Sequence, residues 1–565
     1  MTSLDTLESV TPEQLSQTLA VALSRLVDEG ALTLADGLPN DIRVERPKVE
    51  AHGDYATGVA MQLAGSARRP PREIAQLLAE RLADTAGIAS AEVAGPGFLN
   101  IRVEAGAQGA LAGEILAAGA GFGCTDELAG HRVNVEFVSA NPTGPLTLAS
   151  TRWAAVGDTL ARILASQGAE VAREYYFNDH GTQIERFARS LLARARGLAT
   201  PDGGYAGAYI DEIAAAVIER EPSVLDKPDP EAEEVFRREG VELMFTEIKS
   251  SLHGFGVDFD VFFHENSLHE RGEVADAVAR LREGGLTYEA DGAVWLRSTE
   301  YGDDKDRVIV RSDGRPTYIC ADAAYYLDKR RRGFDRVLIV LGPDHHGYIG
   351  RYRALAAAFG DDPDANLEIV IGQLVNLLQD GRPVRMSKRA GTVIAIDDVV
   401  GAIGVDAARY ALTRYSMDSN IDIDLDLWSR RSSDNPIYYV QYAHARLSSI
   451  LRNAGDLGIV VPQGPGQYDP AVLDHPHEGD LLRALADLPR VVQQATALRE
   501  PHRVARYLES TAATFHKFYD ECRVLPMGDE EATELHRARL ALVAATRVVV
   551  AVGLDLLGVS APERM

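Results

Sequence analysis

Apolar residues recur along this chain with three different rhythms. Near the N-terminus, "TPEQLSQTLAVALSRLV" from Thr11 has a 3.6-residue period, with Thr11 placed as N-cap and Glu13 and Gln14 in the first turn. "PREIAQLLAERLA" predicts a second helix with Pro71 near its start. "EVAGPGFLNIRV", Glu92 to Val103, reads as two strand pieces around a Pro-Gly turn. "GALAGEILAAGAGFG" reads as a connecting helix that glycine ends. Residues 1–105 are therefore expected to form an α+β domain.

From His131 the rhythm changes. "VNVEFV" (Val133 to Val138), "AEVAREYYFND", "DRVLIVLG" (Asp335 to Gly342) and "EIVIGQLVNLL" (Glu368 to Leu378) are short apolar runs. Their length and content fit buried strands, and the helical patterns between them favour a parallel sheet with right-handed crossovers. The expected α/β domain spans 106–405, with an insertion at about 185–305 that includes "GAVWLRSTEYG". From Asp406 to Met565 almost every segment has helical spacing, broken by the Pro/Gly-rich link "VVPQGPGQYDP". This predicts an all-α bundle over 406–565.

Composition narrows the class. The 565 residues exceed one core, and 46% hydrophobic with 25% charged is ordinary for a soluble globular protein. No apolar run reaches the length of a membrane span, and "MTSLDTLESVTPEQ" has no secretory pattern. Cys124, Cys320 and Cys522 lie far apart with no metal-type spacing, so a reduced cytoplasm is expected and no protein metal site. The 58 basic against 84 acidic residues give a net charge of −26, which argues against DNA and anionic membranes as partners. Local basic clusters remain: Arg68, Arg69 and Arg72; Lys329 to Arg332; and the arginines from Arg446 onward. Each reads equally well as a solvated face.

Two stretches carry candidate chemistry. "NPTGPLTLAST", Asn141 to Thr151, lies between a strand and a helix start, where α/β enzymes bind phosphate. It has one glycine and neither lysine nor histidine. "GRPVRMSKRAGTVIAIDDVV", Gly381 to Val400, sets Arg385, Lys388 and Arg389 beside Ser387 and Gly391. Such a loop can grip a triphosphate through charge and backbone N–H groups, or be a basic surface loop.

In order and on these elements, the two stretches resemble the paired ATP signatures of class I aminoacyl-tRNA synthetases. "VERPKVEAHGDYAT", "EFVSANPTGP", "REYYFNDHGTQIERFARSL", "DDKDRV", "YICADAAYYLDKRRRGFDRV", "GPDHHGYIGR", "VRMSKRAGT", "GVDAARY", "NPIYYVQYAHAR" and "GLDLLGVSAPERM" resemble arginyl-tRNA synthetases of the actinobacterial branch across nearly the whole chain. The resemblance implies a multidomain α/β fold: a tRNA-contacting N-terminal α+β domain, a Rossmann-like parallel-sheet catalytic domain with an insertion, and a C-terminal all-α anticodon-binding bundle. It implies ATP and Mg²⁺ as cofactors, L-arginine and tRNA(Arg) as partners, tRNA present for the first step, and a monomer. By motif, ATP falls to Asn141, Pro142, Thr143, Gly144, Pro145, Thr147, Ala149 and Ser150, with Arg385, Met386, Ser387 and Lys388. Catalysis falls to Lys388, Ser387 and Arg389, and arginine to Glu136, Ser139, Asn141, Tyr318, Asp322 and His345.

The chemistry suits this assignment. A guanidinium with five N–H donors calls for carboxylates in a planar, bidentate arrangement. Asp322 and Glu136 are candidates for the guanidinium and the α-amino group.

The chain departs from the family at the first signature. Thr147 stands where the family has histidine, followed by Leu148-Ala149-Ser150. Losing one phosphate donor costs roughly 10²–10³ in rate, and Ala149 adds a methyl where glycine permits close approach of adenine. Cys320 and Pro343 are also unusual. Three readings stay open at this point: a working ligase, a diverged paralogue serving inhibitor resistance or biosynthesis, and a non-catalytic tRNA-binding protein.

Overall fold

A computed structural model describes residues 10–39, 41–47, 49, 52–179, 181–384 and 394–565. The first helix, α1 (Pro12–Asp28), is closed by a capping box in which Thr11 and Gln14 bond reciprocally. Its buried stripe Leu15, Leu19, Leu23 and Leu26 has the period read from the sequence. Strands β1 (Val44–Glu45) and β2 (Tyr55–Thr57), helices α2 (Val59–Ala67) and α3 (Pro71–Leu82), and strands β3 (Ile88–Ala94) and β4 (Phe98–Val103) follow. The four strands form an antiparallel sheet in the order β1-β2-β4-β3. At the hairpin turn Gly97 has φ +142°, and a Cβ there would lie 2.5 Å from Pro71, so the turn sits directly on the start of α3. Helix α4 (Ala105–Ala118) leads out of this domain.

The central sheet begins with β5 (Arg132–Glu136), α5 (Leu148–Ser166) and β6 (Glu170–Phe177). Helices α6 (Thr182–Ala195), α7 (Ala208–Arg220) and α8 (Asp229–Gly254) precede β7 (Val261–His264). Next come α9 (Asn266–Glu270), α10 (Glu273–Glu283), β8 (Thr287–Ala290), β9 (Ala293–Leu296), β10 (Arg307–Val310) and α11 (Tyr318–Arg331). Strand β11 (Arg336–Leu341), α12 (Tyr348–Ala358), α13 (Pro363–Asn366) and β12 (Leu367–Ile371) complete the unit. Five parallel strands lie in the order β12-β11-β5-β6-β7. The order reverses between β5 and β11, and such a switch point opens a crevice at the carboxyl ends of the strands. Helix α5 lies close over β5, because a Cβ on Gly157 would come within 2.2 Å of the Phe137 ring.

Three stretches depart from the sequence reading. The segment read as an insertion, about 185–305, contains β7, which returns to the central sheet as its edge. The remainder of that segment includes β8 and β9, which with β10 form a separate antiparallel sheet. "EIVIGQLVNLL" is two strands, because the chain breaks at Gly372 to cross to another sheet. There β13 (Val375–Gln379) pairs with β14 (Arg382–Pro383) and, in parallel, with a later strand, Ile421–Asp424. The break is pinned by the buried Arg152, which donates to the carbonyls of Gln373, Ser416 and Ser419, and by Trp153 against Gly372.

Helices α14 (Ile396–Ile403) and α15 (Val405–Thr413) precede that strand, β15 (Ile421–Asp424), which lies inside the region read as an all-α bundle. Helix α16 (Leu425–Trp428) leads into the bundle: α17 (Pro436–Asp456), α18 (Pro476–Ala486), α19 (Leu488–Leu498), α20 (His502–Glu521) and α21 (Glu534–Leu556). Arg409 on α15 is buried and donates to Asp158 of α5 and to the carbonyls of Phe255, Gly256 and Leu557. Sheet, insertion and bundle thereby share one buried cation. Among the described residues no helix is long and apolar enough to cross a membrane.

Candidate active site

The crevice is lined first by the turn that ends β5. Val138 and Ser139 have φ of 68° and 41°, a left-handed conformation that costs of order 1–3 kcal/mol per non-glycine residue. Three groups hold it. Ser139 Oγ donates to Glu136 Oε1 at 3.1 Å and accepts from the Tyr176 N–H at 3.1 Å. The Tyr175 hydroxyl accepts from the Ala140 N–H and donates to the Ala140 carbonyl. The same turn presents Asn141, whose Nδ2 donates to Gln183 at 2.6 Å. Pro142 and Thr143 are buried, and Tyr209 donates to the Thr143 carbonyl and packs over Gly144.

Below the turn lies a row of buried charges. Glu136 Oε2 meets Lys329 Nζ at 2.5 Å, and both residues are buried. Glu174, one strand over, accepts from Arg332, Tyr325 and Asn134. Burial pushes Glu174 up, but Lys329, Arg332 and Tyr325 outweigh it and hold the carboxyl below its ordinary range.

Within electrostatic reach of Glu136 lies the carboxyl of Asp322. Its Oδ1 accepts from the Tyr352 hydroxyl at 3.1 Å, while Oδ2 is sealed from solvent without a hydrogen-bond partner. Oε2 of Glu265, a buried residue, is orphaned in the same way. Burial is the largest influence on Asp322, with the negative charges of Glu265 and Glu136 adding to it. Tyr352 and Arg351 oppose them, and the net result is a carboxyl pushed up to about 7. Tyr176 is raised by burial and by Glu265, which places it on the same wall. Two unpartnered, sealed carboxylate oxygens form an unfinished site, because a buried acceptor without a donor is costly.

The first signature forms the opposite wall. Thr147 caps α5, its hydroxyl accepting from the Ser150 N–H at 3.4 Å and lying 3.3 Å from Ser150 Oγ. The Leu148 N–H donates to the Ile394 carbonyl at 2.9 Å and the Ile396 N–H to the Leu146 carbonyl at 3.0 Å. Thr147 thus faces Ala395 across a short antiparallel bridge. The segment that follows the basic loop is thereby stitched to the first signature. Arg385, Met386, Ser387, Lys388, Arg389 and Gly391 lie outside the described residues.

The other candidates separate. Glu136 bonds Ser139 and its charge acts on Asp322, whereas Asn141 belongs to the turn after β5 and Thr147, Ala149 and Ser150 to the start of α5. Tyr318 opens α11 one turn before Asp322 and is 68% exposed. His345, in a short turn that Pro343 begins, lies edge-on to Tyr348 at 5.2 Å and pairs with Asp344. Cys320 turns away from the pocket: its thiol donates to the Ile309 carbonyl at 2.9 Å and burial raises it to about 11. The sequence reading did not place Glu265, Tyr352 or Tyr176 in the site, and it named Lys329 only as part of a basic cluster. Tyr176 lay in a block quoted for other residues and Lys329 in such a block as well as the basic cluster, whereas Glu265 and Tyr352 lay in no quoted block. Among the described residues no three histidine, cysteine, aspartate or glutamate side chains converge as a metal site.

A parallel sheet with a switch point between β5 and β11, the start of α5 bonded to the segment around Ala395, and a helical C-terminal bundle have the architecture of a class I aminoacyl-tRNA synthetase. Residues 216–421 match the model of the class I (R) tRNA synthetase catalytic domain, 13–103 the arginyl tRNA synthetase N-terminal domain, and 440–565 the DALR anticodon binding domain. The fold is shared with Mycobacterium tuberculosis methionyl-tRNA synthetase, at TM-score 0.53 and 15% identity over 75% of this chain and 91% of that one. Thermus thermophilus arginyl-tRNA synthetase superposes at TM-score 0.76, with 25% identity over 98% of this chain and all of that one. An arginine–tRNA ligase of Kineococcus radiotolerans is 59% identical over 98% of this chain and 100% of its own length. The chain belongs to the arginyl-tRNA synthetase family.

Proposed function

We propose that this chain is an arginine–tRNA ligase that uses ATP to activate L-arginine and passes it to the 3′ end of tRNA(Arg). The observation that carries the arginine assignment is the pair of sealed, unpartnered oxygens on Asp322 and Glu265. A guanidinium offers several N–H donors in a plane and can satisfy both at once, whereas the compact ammonium of lysine donates from a single nitrogen. Ser139 and Asn141 sit where the amino acid's backbone end would lie, between this pocket and α5. Both oxygens of Glu136 are already engaged by Lys329 and Ser139. Its charge therefore acts on the substrate's α-amino group from a fixed position.

In the first step the arginine carboxylate attacks the α-phosphate of ATP, forming arginyl-adenylate and releasing pyrophosphate. In the second a ribose hydroxyl of the tRNA 3′ end attacks the arginyl carbonyl and AMP leaves. Neither step needs a covalent enzyme intermediate; the chain positions the groups and stabilises phosphate charge. The N-terminus of the 19-residue α5 supplies dipole and N–H groups to the phosphates. We assign the rest of the grip on the phosphates to Lys388, Ser387 and Arg389, with Arg385 and Met386. Thr147 offers a hydroxyl in place of the family's imidazole, and Ala149 and Ser150 face the nucleotide. Mg²⁺ belongs to the same proposal, as the cation that accompanies the triphosphate of ATP. Tyr318 and His345 flank the pocket mouth. A cytoplasmic monomer is part of the same proposal. Neither the paralogue reading nor the non-catalytic reading has an observation in its favour.

The test is arginine-dependent ATP–pyrophosphate exchange with cognate tRNA on the protein, on Asp322→Asn and on Thr147→His. The protein should exchange, D322N should lose arginine dependence, and T147H should gain rate, by up to 10²–10³ if the imidazole donor is restored in full. Absence of exchange in both the protein and T147H refutes the proposal.

A further inference from the structure

Helix α4 joins the N-terminal domain to the central sheet, and it carries Gly106, Gly109 and Gly113 at its contact with the link between α17 and α18. The Pro/Gly-rich link lies on these glycines. A Cβ on Gly109 would come within 2.3 Å of the Pro470 carbonyl oxygen, and one on Gly113 within 3.0 Å of Pro465. At Gly106 the nearest atom, on Ala471, would be at an ordinary 3.7 Å. The link enters the helix as well as lying on it. The Tyr468 hydroxyl donates to the Gly109 carbonyl at 2.7 Å and accepts from the Gly113 N–H at 2.8 Å. Those are the two groups that a regular α-helix pairs directly. A side-chain hydroxyl thus bonds both groups of one rung of the α4 ladder.

The far side of the link is fixed too. The Asp469 N–H donates to Glu534 in the first turn of α21 at 2.9 Å. A second contact reinforces the junction: Arg483 of α18 meets Asp54 at 2.6 Å, and Asp54 also accepts from the Val103 N–H of β4. The N-terminal sheet and the helical bundle are therefore joined to each other directly, and not only through the central sheet.

We propose that Tyr468 is a positioning residue for tRNA: its hydroxyl splices the link into α4 and so sets the angle between the N-terminal domain and the anticodon-binding bundle. The proposal rests on the reading that tRNA touches both. A body held at two separated surfaces gains affinity only when both can be engaged at once. A rigid junction supplies that geometry before the tRNA arrives, which lowers the ordering cost of binding. Burial raises the Tyr468 phenol to about 12, so the hydroxyl keeps the proton it donates.

Tyr468→Phe keeps the ring and removes both bonds that tie the link to α4. Its tRNA Kd and tRNA KM should rise about tenfold, a fraction of the 10²–10⁴ that linked engagement supplies. Its KM values for arginine and ATP should stay within twofold of the parent. Gly109→Ala, which forces the link away, should do the same or more, and Gly106→Ala should change none of these values. The proposal is overturned if the tRNA Kd of Y468F is within twofold of the parent. It is equally overturned if all three KM values move together, the mark of general damage. A parent chain that binds no tRNA overturns this proposal and the function together. A parent that binds tRNA but makes no arginyl-adenylate overturns the function alone, and the tRNA Kd of Y468F still decides the role of the junction.

Discussion

The raised carboxyl of Asp322 makes arginine affinity depend on pH near neutrality. In the free pocket the group titrates at about 7. A bound guanidinium puts an opposite charge against it and returns it to the ordinary carboxylate range or below. Only the ionised form is then competent, so the apparent Kd is the intrinsic value divided by the ionised fraction. With a pKa of about 7, the Kd is weakened about 1.1-fold at pH 8, about twofold at pH 7 and about elevenfold at pH 6. A surface aspartate, titrating near 3.9, gives no change over this range. Calorimetry in buffers of different ionisation enthalpy reads the same event as released protons: about 0.9 per arginine at pH 6 and about 0.1 at pH 8.

Stability has the opposite sign. A carboxyl whose folded pKa lies above its unfolded value favours the fold at low pH, and that advantage is lost as pH rises through 7. The free protein therefore loses stability over the range in which arginine binding gains strength, so the thermal shift produced by arginine grows from pH 6 to pH 8. Asp322→Asn removes the titration; it should melt higher than the parent without ligand and show no arginine-dependent shift. A Kd flat from pH 6 to 8 with no proton release refutes the reasoning, since it means that Asp322 is ionised before the substrate arrives.

Three further substitutions probe the same architecture. Glu265→Gln keeps the shape but removes the second charge, so the KM for arginine in pyrophosphate exchange should rise about 10- to 100-fold; an unchanged KM removes Glu265 from the site. Lys329→Met leaves Glu136 buried without its cation and should cost about 3–5 kcal/mol in urea unfolding. The double variant with Glu136→Gln should recover most of that loss, and additive losses would sink the pairing. Gly372→Ala places a Cβ 1.9 Å from the Trp153 ring. Overpacking of this kind costs about 1–3 kcal/mol, so the first thermal transition should fall, and a midpoint equal to the parent's shows that Trp153 moves aside freely.

Local pattern was enough for elements whose neighbours are near in sequence. The Thr11 cap, the stripe of α1, the β3–β4 hairpin and the apolar β5 all follow from residues a few positions apart. The pocket was only half legible for the same reason. Asp322 stands in a recognisable block, but Glu265, with which it shares the pocket, is 57 positions earlier on a segment with no quoted pattern. Only the placement of β7 at the sheet edge carries Glu265 there, and β7 lay within the stretch read as an insertion. The break at Gly372 was hidden for a related reason. An apolar run looks continuous until a tryptophan from another helix takes the space above its glycine.

The departure at the first signature is confined by this same layout. Thr147, Ala149 and Ser150 belong to the N-terminus of α5, whereas Asp322 belongs to α11, Tyr352 to α12 and Glu265 to the end of β7. The turn after β5 lies between the two groups in the chain and is held by Glu136, Tyr175 and Tyr176, and among the described residues none of these three hydrogen-bonds to Thr147. Replacing histidine with a residue that caps its own helix therefore alters how phosphate charge is met. It leaves in place the carboxylates of Asp322 and Glu265, to which the proposed function gives amino-acid selection. Loss of rate at the ATP corner and retention of arginine selectivity are compatible in this fold because they are built on different elements. A Thr147→His variant should accordingly change kcat for exchange while the KM for arginine and its pH dependence stay where Asp322 sets them. A shift in that pH dependence would show that the two halves of the site are coupled through the strained turn at Val138 and Ser139.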